Sequence, residues 1–190
     1  EPENTLEDVC NRIHRLDRFS LLSFFHKDKT GLKLLYGDPE KPNSSFLNSE
    51  IVRKMTVLSR MSAAATVLQI GSDIRQPQVD AMRMSDRVVL VVRPDVPSLN
   101  RAAMMMDQMG RYGISPERTV VVINFWGEAG LANKSHIEET LSWKNPDYLA
   151  YDPGRINRTT NEGLLLQARY PRCRVARQLT ALAQKLMSSN

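Results

Sequence analysis

Apolar positions along this chain follow two patterns, and the alternation between them carries the first inference. Val88 to Val92 (VVLVV) is a continuous β-branched and aliphatic run. Such runs form strands covered on both faces, as in a parallel sheet flanked by helices. Thr119 to Asn124 (TVVVIN) is a second, and Thr66 to Ile70 (TVLQI) a third, interrupted only by Gln69. Shorter strands are expected over Gly31 to Gly37 and Tyr148 to Tyr151. Between these, the spacing turns helical. Leu6, Val9, Cys10, Ile13 and Leu16 form one stripe within Thr5 to Leu22, and Thr5 with Asp8 comes close to a capping box. Phe19 to Phe25 continues apolar into a short helix or turn. Further helices are predicted over Ser49 to Met61, Leu99 to Tyr112 with Ser98 as its cap, Ser135 to Leu141, Ile156 to Ala168 and Arg174 to Met187.

Prolines and glycines punctuate the pattern. Asp38 to Ser49, with Pro39 and Pro42, reads as a loop, and Gly113 and Pro116 close the helix before them. Strand and helix thus alternate over most of the chain. The expected fold is α/β, doubly wound, with a mostly parallel sheet flanked by helices in a single domain over 1–190. The methionines Met104, Met105, Met106 and Met109 read as adaptable core packing rather than a binding groove.

Composition adjusts this picture little. The 190 residues are 42% hydrophobic and 25% charged, an ordinary globular balance. No apolar run approaches the ~20 residues of a membrane span, and the acidic start lacks a signal-peptide pattern. Cys10 and Cys173 stand far apart and read as reduced thiols of a cytoplasmic protein. His14, His26 and His136 are scattered, which argues against a histidine metal site. The net charge of +5 comes from dispersed basic residues without interleaved aromatics, so a nucleic-acid or membrane surface is disfavoured. The densest cluster, Arg169, Arg172, Arg174 and Arg177, leaves room for an acidic partner.

The absent motifs matter more. Neither GxxxxGK[ST] nor GxGxxG occurs. GEAGLANKS (Gly127 to Ser135) sits between a strand and a helix and could cradle a phosphate, but Asn133 stands where close backbone approach needs a glycine. The strand-end position that would hold Mg²⁺ through a carboxylate is Gln69, a neutral amide, with Asp73 four residues on. No Ser/His/Asp or Cys/His signature occurs either, so no catalytic residues and no metal ligands are assigned.

Five stretches together resemble the ParA/MinD group of P-loop ATPases, and within it the CpaE/TadZ branch of pilus-assembly localisation factors. They are TLEDV (Thr5 to Val9) with RLD (Arg15 to Asp17), GLKLL (Gly31 to Leu35), DAMRMSDRVVLVVRPDVPSLNRA (Asp80 to Ala102), VVVIN (Val120 to Asn124) and Asn161 to Gly163. The resemblance implies a P-loop NTPase-like fold of the ParA/MinD type and sites carried position by position. The Walker-B aspartate falls on Gln69. Asn124 matches the asparagine that hydrogen-bonds adenine. Asp152 matches the acidic residue of the "P-x-D" adenine loop, although Ala150 replaces its proline, and Asn100 replaces an arginine with Arg101 adjacent.

The family's first strand, phosphate loop, helix and second strand precede the position that is Thr5 here. The chain therefore resembles the C-terminal three-quarters of such a domain. The leading expectation is a degenerate localisation or assembly factor for a pilus or secretion system. It would be cytoplasmic, recruited to the inner membrane face or a pole, with protein partners and a homodimer in view. ATP or ADP with Mg²⁺ is the implied cofactor. The alternatives are an ATP-hydrolysing dimer whose phosphate loop lies upstream of Glu1, acting on DNA or membrane, and a nucleotide-free interaction module.

Overall fold

The computed structural model describes residues 4–37 and 47–188, which form two compact units, Glu1–Ser85 and Asp86–Asn190. Most of the loop expected over Asp38 to Ser49 lies outside the described residues.

In the first unit, α1 (Leu6–Arg12) starts where the Asp8 carboxylate accepts both the N–H and the hydroxyl of Thr5, each at 2.9 Å. One continuous helix to Leu22 is not formed. After a 3₁₀ turn (Ile13–Arg15) the backbone extends at Leu16, and Asp17 accepts the Ser20 N–H at 2.7 Å to cap a new helix, α2 (Arg18–Leu22). A carboxylate able to satisfy orphan N–H groups makes a fresh start cheaper than continuation. The expected stripe is still the core: Val9, Cys10, Ile13 and Leu16 cluster with Leu21, Phe24 and Ile51. Strands β1 (His26–Lys27) and β2 (Lys33–Leu34) form a small antiparallel hairpin, in which Asp28 takes the N–H groups of Thr30 and Leu32 and Gly31 adopts φ +90°. Two helices follow, α3 (Ser49–Arg60), capped by Asn48, and α4 (Gln76–Met84).

Thr66 to Ile70 is not a strand. The stretch is irregular, and Val67 is 92% exposed. A strand needs a neighbour to take its N–H and C=O groups, and among the described residues none pairs with this one.

The second unit holds a parallel sheet in the order β3 (Val88–Val92), β4 (Thr119–Trp126), β5 (Asp147–Ala150). One face carries α5 (Val96–Arg111) and α6 (Lys134–Leu141): Val92, Val121 and Ile123 pack with Leu99, Ala102, Ile137 and Leu141. The other face carries α9 (Arg174–Ser188), whose Val175 and Ala176 pack with Val122 and Leu149. This is the expected doubly wound arrangement of a parallel sheet between helix layers.

Three local expectations change. Asp95, not Ser98, caps α5, accepting the Ser98 N–H at 2.9 Å. Of the four methionines, Met109 is buried and Met106 joins the core, while Met104 is exposed. The helix expected over Ile156 to Ala168 is two, α7 (Pro153–Asn161) and α8 (Leu166–Arg169), broken where Gly163 turns to φ +62°.

Val88 to Val92 is not covered on both faces. Val89 and Val91 are 39% and 60% exposed. They share the sheet face of their ladder partners Val120 and Val122, which α9 covers, but that cover does not extend over β3.

Candidate functional site

Parallel sheets place their ligands beyond the carboxyl ends of the strands. In the second unit that end gathers Arg93 after β3, Asn124 to Trp126 at the end of β4, and Tyr151 with Asp152 after β5. The ladder is shifted between Ile123 and Trp126. In that gap Phe125 adopts φ +59°, and its N–H donates to Oδ1 of Asn124 at 2.9 Å. A large non-glycine residue in the left-handed region is an outlier that marks constrained backbone. The chain then rejoins β5, Tyr151 N–H donating to the Trp126 carbonyl at 2.8 Å.

The side chains here form one aromatic and ionic patch. The Phe125 and Tyr151 rings lie 5.8 Å apart between centroids. Arg93 sits over Phe125 at 4.9 Å and pairs with Glu128 at 2.7 Å and Asp95 at 3.2 Å. Asp152 caps α7, accepting the Arg155 N–H at 3.3 Å and its guanidinium at 2.7 Å. The guanidinium hydrogen bond, outweighing desolvation, holds the Asp152 carboxyl below the usual carboxylate range.

Asn124 and Asp152 therefore close the carboxyl ends of adjacent strands in one unit. Among the described residues Asn124 uses only one oxygen lone pair, on the Phe125 N–H, and its amide donors take no partner. Asp152 has both oxygens engaged by Arg155. Arg93, Phe125, Tyr151 and Glu128 were not singled out from the sequence. The signal available was an aromatic pair, Phe125-Trp126, directly after the strand-ending asparagine.

Gln69 and Asp73 belong to the other unit. Gln69 is exposed on the irregular stretch, and Asp73 is 77% exposed at its side chain, 3.6 Å from Arg75. Among the described residues no group of three or more His, Cys, Asp or Glu is placed to hold a metal. In the glycine loop Gly127 and Gly130 take positive φ, but Asn133 spends its oxygen on the His136 N–H as the α6 cap. Lys134 sits 5.0 Å over the ring of Tyr148. No described helix is long and apolar enough to cross a membrane.

No family model and no curated protein matches the sequence. Solved structures do. A ParA family ATPase from Chlorobium tepidum TLS superposes with a TM-score of 0.86 at 16% identity, over 96% of this chain and 76% of that one. The ParA/MinD fold is shown. The MinC:MinD cell division protein complex of Aquifex aeolicus matches with a TM-score of 0.69 at 16% identity, over 98% of this chain and 73% of that one. The septum site-determining protein MinD complexed with Mg-ADP from Pyrococcus horikoshii OT3 matches at 0.51 and 16%, over 60% of this chain and 46% of that one. At these identities the ParA/MinD likeness is one of fold; the chemistry rests on the residues present.

Proposed function

We propose that this chain is a ParA/MinD-type module of the CpaE/TadZ kind that localises or assembles pilus or secretion machinery by docking other proteins, without turning over ATP itself. Gln69 carries the reading. At the position matched to the magnesium-holding carboxylate stands an exposed neutral amide, which brings no charge to offset a divalent cation. Asp73, the nearby carboxylate, faces solvent and Arg75. The partner function draws support from the MinC:MinD complex, a protein of this fold bound to another protein. The likeness over 96% of the chain supports reading 1–190 as one domain. In this reading the module works in the cytoplasm, at the inner membrane face or a pole, and its homodimer remains part of the proposal.

The test is deletion in the source organism with complementation. Loss of surface pili or of a secreted product, restored by the intact chain, is expected. Unchanged piliation and secretion in the deletion strain would overturn the proposal.

A second reading is favoured by the strand ends. Asn124 and Asp152, matched by resemblance to adenine-contacting positions, stand at adjacent strand ends, and a neighbour of this fold was solved with Mg-ADP, which supports a nucleotide reading carried chiefly by Asn124. The Asn124 amide offers donors and an acceptor to a base, whereas the position matched to the magnesium-holding carboxylate is the neutral Gln69, and among the described residues no group of three or more His, Cys, Asp or Glu gathers to hold a metal. ATP or ADP would then be held by its base, with phosphate and metal contacts supplied from outside these residues.

A further inference from the structure

After β5 the chain builds a corner from α7, α8 and the first turns of α9. Between Asp152 and Arg177 lie six arginines, Arg155, Arg158, Arg169, Arg172, Arg174 and Arg177, against two carboxylates, Asp152 and Glu162. That surplus of four, set against a net charge of +5, corrects the expectation that the basic charge is dispersed along the chain. All six are exposed. The two carboxylates are already engaged, Asp152 by Arg155 at 2.7 Å and Glu162 by Arg158 at 3.0 Å. Arg172, Arg174 and Arg177 make no ion pair among the described residues.

Two of these guanidinium groups converge on one aromatic ring. Arg155 and Arg169, from different helices, approach the one ring of Tyr170 at 5.9 and 5.6 Å. Between α7 and α8, the break at Gly163 leaves two large aliphatic side chains at the surface: Leu164 and Leu165 are both exposed. Exposed leucines in a segment that also carries six exposed guanidinium groups supply the apolar and the charged components of a protein interface. Arginine also recognises carboxylates through paired, planar hydrogen bonds.

We propose that this α7–α8–α9 corner is a docking surface for a partner protein segment in which carboxylates alternate with aliphatic side chains. Charge complementarity selects the acidic residues, and the Leu164–Leu165 pair selects the aliphatic ones. Nucleic acid is a poorer fit because Tyr170 is half-buried and already faced by two guanidinium groups, leaving no free ring for base stacking. The inference does not depend on the proposed pilus or secretion role.

The test is fluorescence anisotropy with a labelled peptide of alternating Glu and Leu, run beside a Glu and Ser peptide of equal charge, mixed-sequence duplex DNA and phosphatidylglycerol vesicles. The Glu–Leu peptide should bind tightest. Combining Arg169→Ala, Arg172→Ala and Arg174→Ala should weaken it about tenfold or more, given the worth of charged pairs at interfaces. Leu164→Ser with Leu165→Ser should weaken it about fivefold while leaving the Glu–Ser peptide unchanged. If the triple variant melts early, Arg172→Glu alone, at an exposed position, gives the same reading. Absence of binding, equal affinity for the two peptides, or tighter binding of DNA or vesicles would each overturn the proposal.

Discussion

The Arg93 guanidinium lies 4.9 Å from the centre of the Phe125 ring, at the edge where β3 and β4 both end. The contact depends on an uncommon backbone, since Phe125 holds φ +59° and donates its N–H to Asn124. Glycine adopts that conformation freely, and a β-branched residue resists it. Phe125→Gly should therefore cost less than about 1 kcal/mol net, as relief of backbone strain offsets loss of the ring, whereas Phe125→Val should cost about 2 kcal/mol or more. Urea unfolding of the two variants checks this ordering. Equal losses would mean that the ring contact, not the backbone, dominates.

Asp80 is 4% exposed at its side chain and accepts from Arg53 at 3.1 Å and Gln76 at 3.0 Å, tying α4 to α3. Hydrogen bonds from Ser49 first, then Gln76 and Arg53, outweigh desolvation and hold its carboxyl below the ordinary 3.8. With the folded value depressed, the stabilisation is complete above 3.8 and disappears as pH falls through the lower folded value. Asp80→Ala should cost about 2 kcal/mol at neutral pH. Its deficit relative to the unsubstituted chain should shrink in acid, as melting curves from pH 7 downward would register.

Among the described residues the buried hydroxyl of Tyr148 has no hydrogen-bond partner, although its ring packs on Trp126 at 4.7 Å between centroids. Burial, and secondarily the Glu138 charge, pushes its pKa up. Tyr148→Phe keeps the ring and removes the orphaned group. It should be neutral or stabilising by up to about 1 kcal/mol. A destabilisation larger than that, measured by denaturant midpoint, would contradict the assignment of an unsatisfied hydroxyl.

Cys10 is buried in the first unit's core, and burial pushes its thiol up to about 11. The thiolate is the reactive form, so alkylation at pH 8 should modify Cys173 well before Cys10. Mass spectrometry of partly labelled protein would check the order. Preferential labelling of Cys10 in folded protein would contradict the burial.

Much of the fold was legible because Val88 to Val92 and Thr119 to Asn124 are apolar runs that pair in parallel, with helices covering both faces at β4 and one face at β3. Thr66 to Ile70 has the same character, yet strand formation depends on a backbone neighbour, which local composition does not encode. Residues 156–168 kept an apolar rhythm across Gly163, and only the positive φ there, with Leu164 N–H returning to the Thr159 carbonyl, ends α7. Of the candidate site, Asn124 and Asp152 came from resemblance, and they stand at adjacent strand ends. Phe125 was illegible because its strain arises from the register shift between β4 and β5, a long-range property.

The most direct test of a ParA/MinD-type module that docks rather than hydrolyses is calorimetric titration of ATP into this chain, with and without Mg²⁺, after thermal melting confirms a folded sample. The account predicts no Mg²⁺-dependent heat, with any weak binding lost in Asn124→Ala. Micromolar binding that requires Mg²⁺ would contradict it, by showing that these residues assemble a working phosphate and metal site despite Gln69.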